Sequence, residues 1–282
     1  MASLKESLAA TLQGEVVDDA ATRKTMSRDT SVFERTPSLV VYPKDTQDVS
    51  TLVKTIASAK AVGEDVSVTA RSAGTDMSGG PLTDSVVAVF TKYMNKMHEV
   101  ADGYAVAEPG VYYRDFERET RKVNNQLLPS YPASRELAAL GGIVNNDSGG
   151  ERTLEYGKTH DYVEELEVVL SDGSVTTFKA LTPTELDGKR ALRGLEGDIY
   201  RKMSALIMDN LDAIRDAKPK VSKNSAGYAL WDVLDSKHGT FNLAKLITGA
   251  QGTLALTTKM KLRLVKEQGY RAMLVVFLKD ID

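Results

Sequence analysis

The amino-acid sequence predicts an α+β fold made of two lobes, over residues 37–90 and 91–265. Three observations support this prediction. Short β-rich runs alternate with one helical run in the first part of the chain. Residues 165–178 show the period of two that is typical of a half-buried hairpin. Residues 254–264 place apolar side chains on one strand face and Lys or Arg on the other.

The first lobe is predicted to contain one helix among three strands, which lie at 38–42, 66–70 and 86–90. Thr46 or Asp48 can cap this helix, because a short polar side chain accepts a hydrogen bond from the first turn. Gly63 ends it. A glycine-rich loop at 71–80 separates the second and third strands. Residues 1–36 are a polar N-terminal segment that we expect to be helical or irregular.

The second lobe is predicted to contain a helix at 113–123 and strands at 104–107, 165–170, 175–178 and 254–264. Asp172-Gly173 supplies the tight turn between two of these strands. One core-facing helix begins after Asp198 and carries an apolar stripe of Ile199, Met203, Leu206, Ile207, Leu211 and Ile214. A last strand at 270–278 opens a unit that the sequence does not complete. Residues 266–282 are therefore interpreted as the start of a truncated domain.

The composition argues against several classes of protein. The chain has 282 residues, of which 42% are hydrophobic and 27% charged, and a net charge of −3, so nothing indicates a nucleic-acid partner. It has no cysteine, which excludes disulfides and thiol catalysis. Its three histidines are too scattered to indicate a metal site. No apolar run is long enough for a transmembrane segment. We expect a cytoplasmic protein, with peripheral membrane attachment of a longer protein left open.

The first chemical motif is the loop at 71–80. Ser72, Ala73 and Gly74 have little or no side chain, so their backbone can approach a diphosphate and direct N–H groups at its oxygens. A P-loop is excluded because Gly80 stands where its lysine would be. The Rossmann pattern is also absent. Taken alone, the motif is explained equally well by a tight surface loop between strands.

Two further motifs combine glycine with small polar residues. Residues 132–134 and 140–150 contain two glycine pairs around short polar side chains, which can pack a backbone against a flat ring and bond to its edge. Residues 249–254 lead directly into the last long strand. Taken singly, each motif is explained as well by an irregular loop or a turn.

Together, the three motifs resemble the PCMH-type FAD-binding domains of the vanillyl-alcohol-oxidase superfamily, in the D-lactate dehydrogenase and glycolate oxidase branch. The family loop reads approximately Arg-Gly-Gly-Gly-Thr-Ser-Leu-Ser-Gly-Gly, and residues 71–80 read Arg-Ser-Ala-Gly-Thr-Asp-Met-Ser-Gly-Gly. The other similar segments are 39–49, 108–111, 132–159, 223–228 and 249–254. The resemblance covers about residues 15 to 282. It implies a two-lobed domain with FAD between the lobes and a C-terminal cap domain that is missing here.

The resemblance also implies which residues bind FAD. The diphosphate would lie against Arg71, Ser72, Ala73, Gly74, Thr75, Asp76, Met77 and Ser78. The flavin and ribityl chain would lie against Pro132, Ala133, Ser134, Gly141, Gly142, Asn145, Asn146, Ser148 and Gly149, with Tyr156 and Gly157 closing that wall. The adenosine side would be flanked by Gly252, Thr253 and Leu254, and Pro43 would lie near the isoalloxazine or adenine end.

Three of the departures from the family pattern matter for the chemistry. Thr75 stands where some relatives attach the flavin through a histidine, so non-covalent FAD is expected. Asp147 often corresponds to Asn, and its carboxylate would oppose the charge of reduced flavin unless it points away or is paired. Gln251 replaces the usual Glu. His160 is a candidate for contact with flavin or substrate, although a surface polar position is the favoured interpretation.

The resemblance implies a flavin-dependent oxidoreductase that acts on a CH–OH group, oxidising a small-molecule 2-hydroxy acid such as D-lactate or glycolate by hydride transfer to FAD. Relatives grip the substrate largely through the cap domain, so no catalytic residue is assigned, and the chain alone is expected to turn over little substrate. One alternative is a flavoprotein subunit that needs an electron-transfer partner. Another is a degenerate nucleotide-binding domain without redox activity, which Asp76 and Asp147 would make possible.

Overall fold

Two β-sheets organise the chain in the computed structural model, which describes residues 4–221, 224, 227–267, 272 and 274–280. The first sheet consists of β1 (Glu15–Val17), β2 (Leu39–Tyr42), β3 (Val68–Arg71) and β4 (Val86–Val89). Its strand order is β1-β2-β4-β3, and β2 and β3 run parallel to β4. The expectation that residues 1–36 lack a strand is wrong, because β1 pairs antiparallel with β2 and lengthens this sheet.

The second sheet is built from strands that follow the first sheet in the chain, from Met97 onward. The remaining strands are β5 (Met97–Ala101), β6 (Tyr104–Ala107), β7 (Gln126–Leu127), β8 (Val163–Val169), β9 (Val175–Leu181), β10 (Leu234–Asp235), β11 (Thr240–Asn242), β12 (Leu256–Arg263) and β13 (Val265–Lys266). Seven of them form an antiparallel sheet in the order β10-β11-β9-β8-β12-β6-β5. β7 and β13 form a separate two-stranded ribbon.

The helices surround these sheets. They are α1 (Leu4–Thr11), α2 (Ala20–Met26), α3 (Thr46–Ala61), α4 (Tyr113–Arg121), α5 (Leu140–Asn145), α6 (Thr153–Tyr156), α7 (Pro183–Arg190), α8 (Leu195–Asp209), α9 (Leu211–Asp216) and α10 (Ala244–Ile247). Among the described residues, no helix is both long enough and apolar enough to cross a membrane.

The N-cap of α3 differs from the two predicted candidates. Asp45 caps the helix by accepting a hydrogen bond from the backbone amide of Asp48. Asp48 itself is buried, and its carboxylate accepts hydrogen bonds from the backbone amides of Gln13 and Gly14. Asp48 therefore holds the N-terminal segment against the first lobe rather than capping α3, and Thr46 is already helical.

Each sheet has its own apolar core, and the two cores are in contact through the long strands. The core of the first sheet includes Val41, Leu52 and Val86, all fully buried. Val169 of β8 and Leu256 of β12 belong to this same cluster, although both strands lie in the second sheet. The predicted two-lobed α+β fold is therefore confirmed.

The predicted long helix after Asp198 is two helices. Asn210 adopts non-helical backbone angles between α8 and α9, and its side chain donates a hydrogen bond to the carbonyl of Leu206. This local bond competes with the helical pattern, as Asn side chains commonly do. Gly194 occupies the N-cap position, so Asp198 lies within the first turn. Leu206 and Leu211 are 43% and 40% exposed, so that part of the stripe does not face the core.

The C-terminal strand is also shorter than predicted. β12 begins at Leu256, two residues after the predicted start at 254. A turn precedes it, in which the amide of Thr253 donates to the carbonyl of Ala250 at 2.9 Å. Leu254 lies outside the strand and is 38% exposed. Part of the predicted strand at 270–278 lies outside the described residues, and those described there (272 and 274–280) form no strand. The hairpin turn is confirmed, because Gly173 has a φ of +77°.

Candidate functional site

A cleft of about 440 Å³ lies between the glycine loop of the first lobe and helix α5 of the second. The loop begins where β3 ends and contributes an unbroken wall from Ser72 to Ser78. The opposite wall contains Gly141, Gly142, Asn145 and other residues of the 132–148 region. The cleft is therefore built by the first two sequence motifs, brought together from opposite lobes.

A close backbone contact joins the two walls. The hydroxyl of Ser72 donates to the carbonyl of Pro109 at 3.1 Å, and the amide of Gly141 donates to the same oxygen at 2.8 Å. A Cβ added to Gly141 would lie 2.5 Å from Ser72 Oγ, which no real Cβ tolerates. Only glycine allows α5 to approach the loop this closely, so the residue type sets the width of the cleft.

The cleft brings together fifteen of the predicted site residues. These are Ser72, Ala73, Gly74, Thr75, Asp76, Met77, Ser78, Pro132, Ser134, Gly141, Gly142, Asn145, Asn146, Ser148 and Gly252. The predicted residues that do not line it are Pro43, Arg71, Ala133, Gly149, Tyr156, Gly157, Thr253 and Leu254. Most of this second group are chain neighbours of lining residues.

Arg71 supports the loop from outside the cleft. Its guanidinium donates to the backbone carbonyl of Arg28 at 2.7 Å and to that of Met26 at 3.4 Å. A Cβ at Gly74 would overlap this guanidinium. Burial lowers the pKa of Arg71, although the nearby charge of Asp29 acts in the opposite direction. In this arrangement, Arg71 ties the N-terminal segment to the loop.

Several lining residues were not predicted as site residues. They are Ala70, Gly80, Pro81, Phe90, Pro109, Ala138, Ala139, Ile143, Gln251, Ala255 and Thr257. Some of them lie inside or beside the motifs, and predicting every residue of each motif as a site residue would have included them. These are Gly80, Pro109, Ala138, Ala139 and Gln251. Three others lie in or next to the buried strands β4 and β12, namely Phe90, Ala255 and Thr257. Their residue types give no indication that they line a binding site.

Asp147 points away from the cleft and is paired. Its φ is +46°, and its carboxylate lies 2.8 Å from Nδ1 of His160 and 2.6 Å from Nζ of Lys158. Burial alone would raise the pKa of Asp147, but the bonds from His160 and Lys158 outweigh burial and lower it. Burial likewise opposes the charged form of His160, yet the bond to Asp147 raises its pKa. His160 lines a separate cavity of about 190 Å³, not the main cleft.

The two walls of the cleft offer polar groups and open space to a ligand. Serine and threonine residues line the loop wall. Gly142 faces open space, because beyond its own helix and chain neighbours no described atom lies within 4 Å of an added Cβ. On the α5 wall, Oδ1 of Asn145 is buried and has no hydrogen-bond partner among the described residues. These donors, the open glycine and the unpaired acceptor fit FAD, whose ring and diphosphate need such contacts.

Known proteins with similar sequences are named as a dehydrogenase and as a subunit of an oxidase. The chain is 27% identical to the D-2-hydroxyglutarate dehydrogenase of Pseudomonas putida over 266 residues, covering 94% of this chain and 26% of that protein. It is 28% identical to glycolate oxidase subunit GlcD of Bacillus subtilis over 285 residues, covering 99% of this chain and 48% of GlcD. The chain thus spans about a quarter of the first relative and about half of the second.

Solved structures show the same fold. Glucooligosaccharide oxidase from Acremonium strictum, described as carrying a 6-S-cysteinyl, 8α-N1-histidyl FAD, superposes with a TM-score of 0.61 at 17% identity. The match covers 94% of this chain and 43% of the oxidase. In addition, residues 37–179 match the model of one sequence family, described as the FAD binding domain. The chain belongs to this FAD-binding domain family.

Proposed function

We propose that this chain is the cofactor-holding part of a flavin-dependent oxidoreductase that oxidises a 2-hydroxy acid at its CH–OH group. The observation that carries the proposal is the cleft, in which the glycine loop and the α5 wall face each other with the residues that the family pattern assigns to FAD. The names of the similar dehydrogenase and oxidase subunit supply the substrate class.

The residues that would hold FAD fall into three groups. The loop from Ser72 to Ser78 would take the diphosphate through backbone N–H groups and hydroxyls. Pro132, Ser134 and the α5 residues would contact the flavin ring, and Gly252 would lie on the adenosine side. Other predicted residues, such as Pro43 and Tyr156, do not line the cleft. We propose that bound FAD extends beyond the cleft to contact them.

We propose that FAD binds without a covalent bond. The chain has no cysteine, and no histidine lines the cleft among the described residues. Thr75 occupies the loop position that carries the attaching histidine in some relatives, and a hydroxyl lacks the nucleophilic nitrogen for that bond. Denaturation without proteolysis should therefore release the flavin.

The reaction also needs a group that accepts the hydroxyl proton of the substrate. When bound, FAD would accept the hydride from the substrate carbon. Among the described lining residues, Asp76 is the only titratable one, and it lies in the loop assigned to the diphosphate. We therefore propose that the base and the carboxylate-binding residues come from outside this cleft lining.

Anaerobic mixing of the FAD-loaded chain with D-2-hydroxyglutarate, D-lactate or glycolate tests this division of roles. We expect flavin absorbance to change slowly or not at all with each acid, while dithionite reduces the flavin completely. Rapid reduction by any of these acids would show that the chain contains a complete substrate site. The name of GlcD as a subunit favours one second candidate, a flavoprotein subunit that needs a partner, which co-purification of a second chain would support.

A further inference from the structure

One carboxylate accepts three hydrogen bonds from the C-terminal part of the glycine loop. Oδ2 of Asp76 accepts bonds from the amide of Gly80 at 2.6 Å, the hydroxyl of Ser78 at 2.9 Å and the amide of Ser78 at 3.3 Å. Converging donors of this kind are what an anionic ligand uses in a glycine-rich loop. The carboxylate therefore occupies the kind of position that a diphosphate oxygen requires.

The charge of the cleft makes this arrangement unfavourable for an anion. Asp76 is the only charged side chain among the described residues that line the cleft. The nearest basic side chain of the loop, Arg71, is directed at the carbonyls of Arg28 and Met26. Gln251 also presents an oxygen near Gly80, 3.1 Å from where a Cβ would stand. An incoming diphosphate thus meets a carboxylate without a lining cation to offset it.

We propose that Asp76 limits the affinity of this chain for FAD by competing with the diphosphate for the donors of Ser78 and Gly80. Before the diphosphate can take these donors, the carboxylate must release them and move aside. The inference rests on the proposed function, since it requires the diphosphate to bind in this loop.

A purely structural role for Asp76 makes the opposite prediction. If the carboxylate only shapes the loop, removing it would loosen the backbone and weaken FAD binding. If it competes with the diphosphate, removing it frees the donors and removes a like charge, so FAD binds more tightly. The direction of the change in affinity therefore separates the two roles.

The experiment compares FAD titrations of the apo chain and three variants by flavin fluorescence. Asp76→Ser removes both the charge and the reach of the side chain, whereas Asp76→Asn keeps the shape and weakens the hydrogen bonds. Asp212→Asn is the matched control, because the side chain of Asp212 is 86% exposed and does not line the cleft, and Arg215 is its only ion-pair partner within the described part of the chain. We expect Asp76→Ser to bind FAD at least about tenfold more tightly, with Asp76→Asn intermediate and Asp212→Asn unchanged.

Two further probes make the test specific. The gain should also appear with ADP, which has a diphosphate, and not with riboflavin, which has none. It should shrink as salt is added, because ions screen the repulsion between exposed like charges. If Asp76→Ser fails to fold in a thermal melt, the isosteric Asp76→Asn decides the test.

The outcomes separate the two proposals. Equal or weaker FAD binding by the Asp76 variants overturns the inference and leaves the proposed function standing if the unaltered chain binds FAD. A similar gain in Asp212→Asn would attribute the effect to net charge and would also overturn it. If no form of the chain binds FAD, the proposed function and the inference both fail.

Discussion

Two adjacent glycines in α5 should respond in opposite ways to the same added methyl group. Gly141 is buried, and a Cβ there would stand 2.5 Å from Ser72 Oγ and 2.6 Å from Pro109 Cβ. Ordinary contacts are about 3.5–4.0 Å, so the loop and α5 must separate by about 1 Å. Overpacking of this kind costs about 1–3 kcal/mol. For a chain of this length, Gly141→Ala should lower Tm by roughly 2–8 °C.

Gly142→Ala is the matched control. Apart from its chain neighbours and the backbone of α5, no atom of the described residues lies within 4 Å of its added Cβ. Its backbone is helical, so the substitution should be neutral or should stabilise the chain by about 0.5–1 kcal/mol. Because Gly142 lines the cleft, its new methyl group should still weaken FAD binding. Thermal melts and FAD titrations of both variants check this. A Gly141→Ala variant as stable as the unaltered chain would refute the close packing of α5 on the loop.

Two other predictions concern the supports of the cleft. Arg71→Met should destabilise the chain by about 1–3 kcal/mol, because the carbonyls of Met26 and Arg28 lose their donor. It should also weaken FAD binding. Chemical denaturation measures the first effect and FAD titration the second. Unchanged stability would contradict the role of Arg71 in tying the N-terminal segment to the loop. The ion pair of Asp147 and His160 should stabilise the chain fully between about pH 4 and pH 6.5, because the pKa of Asp147 is lowered and that of His160 is raised. As pH rises above about 6.5 and through the raised pKa of His160, this stabilisation should disappear, so the stability difference from His160→Gln should shrink as pH increases. A difference that grows as pH increases would contradict the assigned pairing.

The local sequence was sufficient to predict the strands that have a strong pattern of apolar residues. The strand predicted at 104–107 coincides with β6, and the strand predicted at 86–90 differs from β4 by one residue. Both have consecutive apolar or small residues that a buried strand requires. β1, β5 and β11 were missed because each is short or polar, and their pairing is decided by a neighbouring strand rather than by their own composition.

The candidate site was predictable where chemistry restricts the residue type. Gly74 and Gly141 are small because the backbone has no room for a Cβ, and this restriction is visible in the sequence. The direction of Asp147 was not visible, because it depends on a positive φ and on His160, thirteen positions away in the chain. Thr257 lines the cleft because strand β12 begins beside it, a fact of tertiary structure alone.

The most direct test of this account is the flavin content of the purified chain. After incubation with FAD and removal of the excess, mild denaturation should release close to one FAD for each chain into the supernatant, identified by its absorbance and chromatographic mobility. The denatured protein should retain no flavin, since attachment is non-covalent. A colourless protein that takes up no added FAD would contradict the central claim, and flavin that stays with the denatured chain would contradict the mode of attachment.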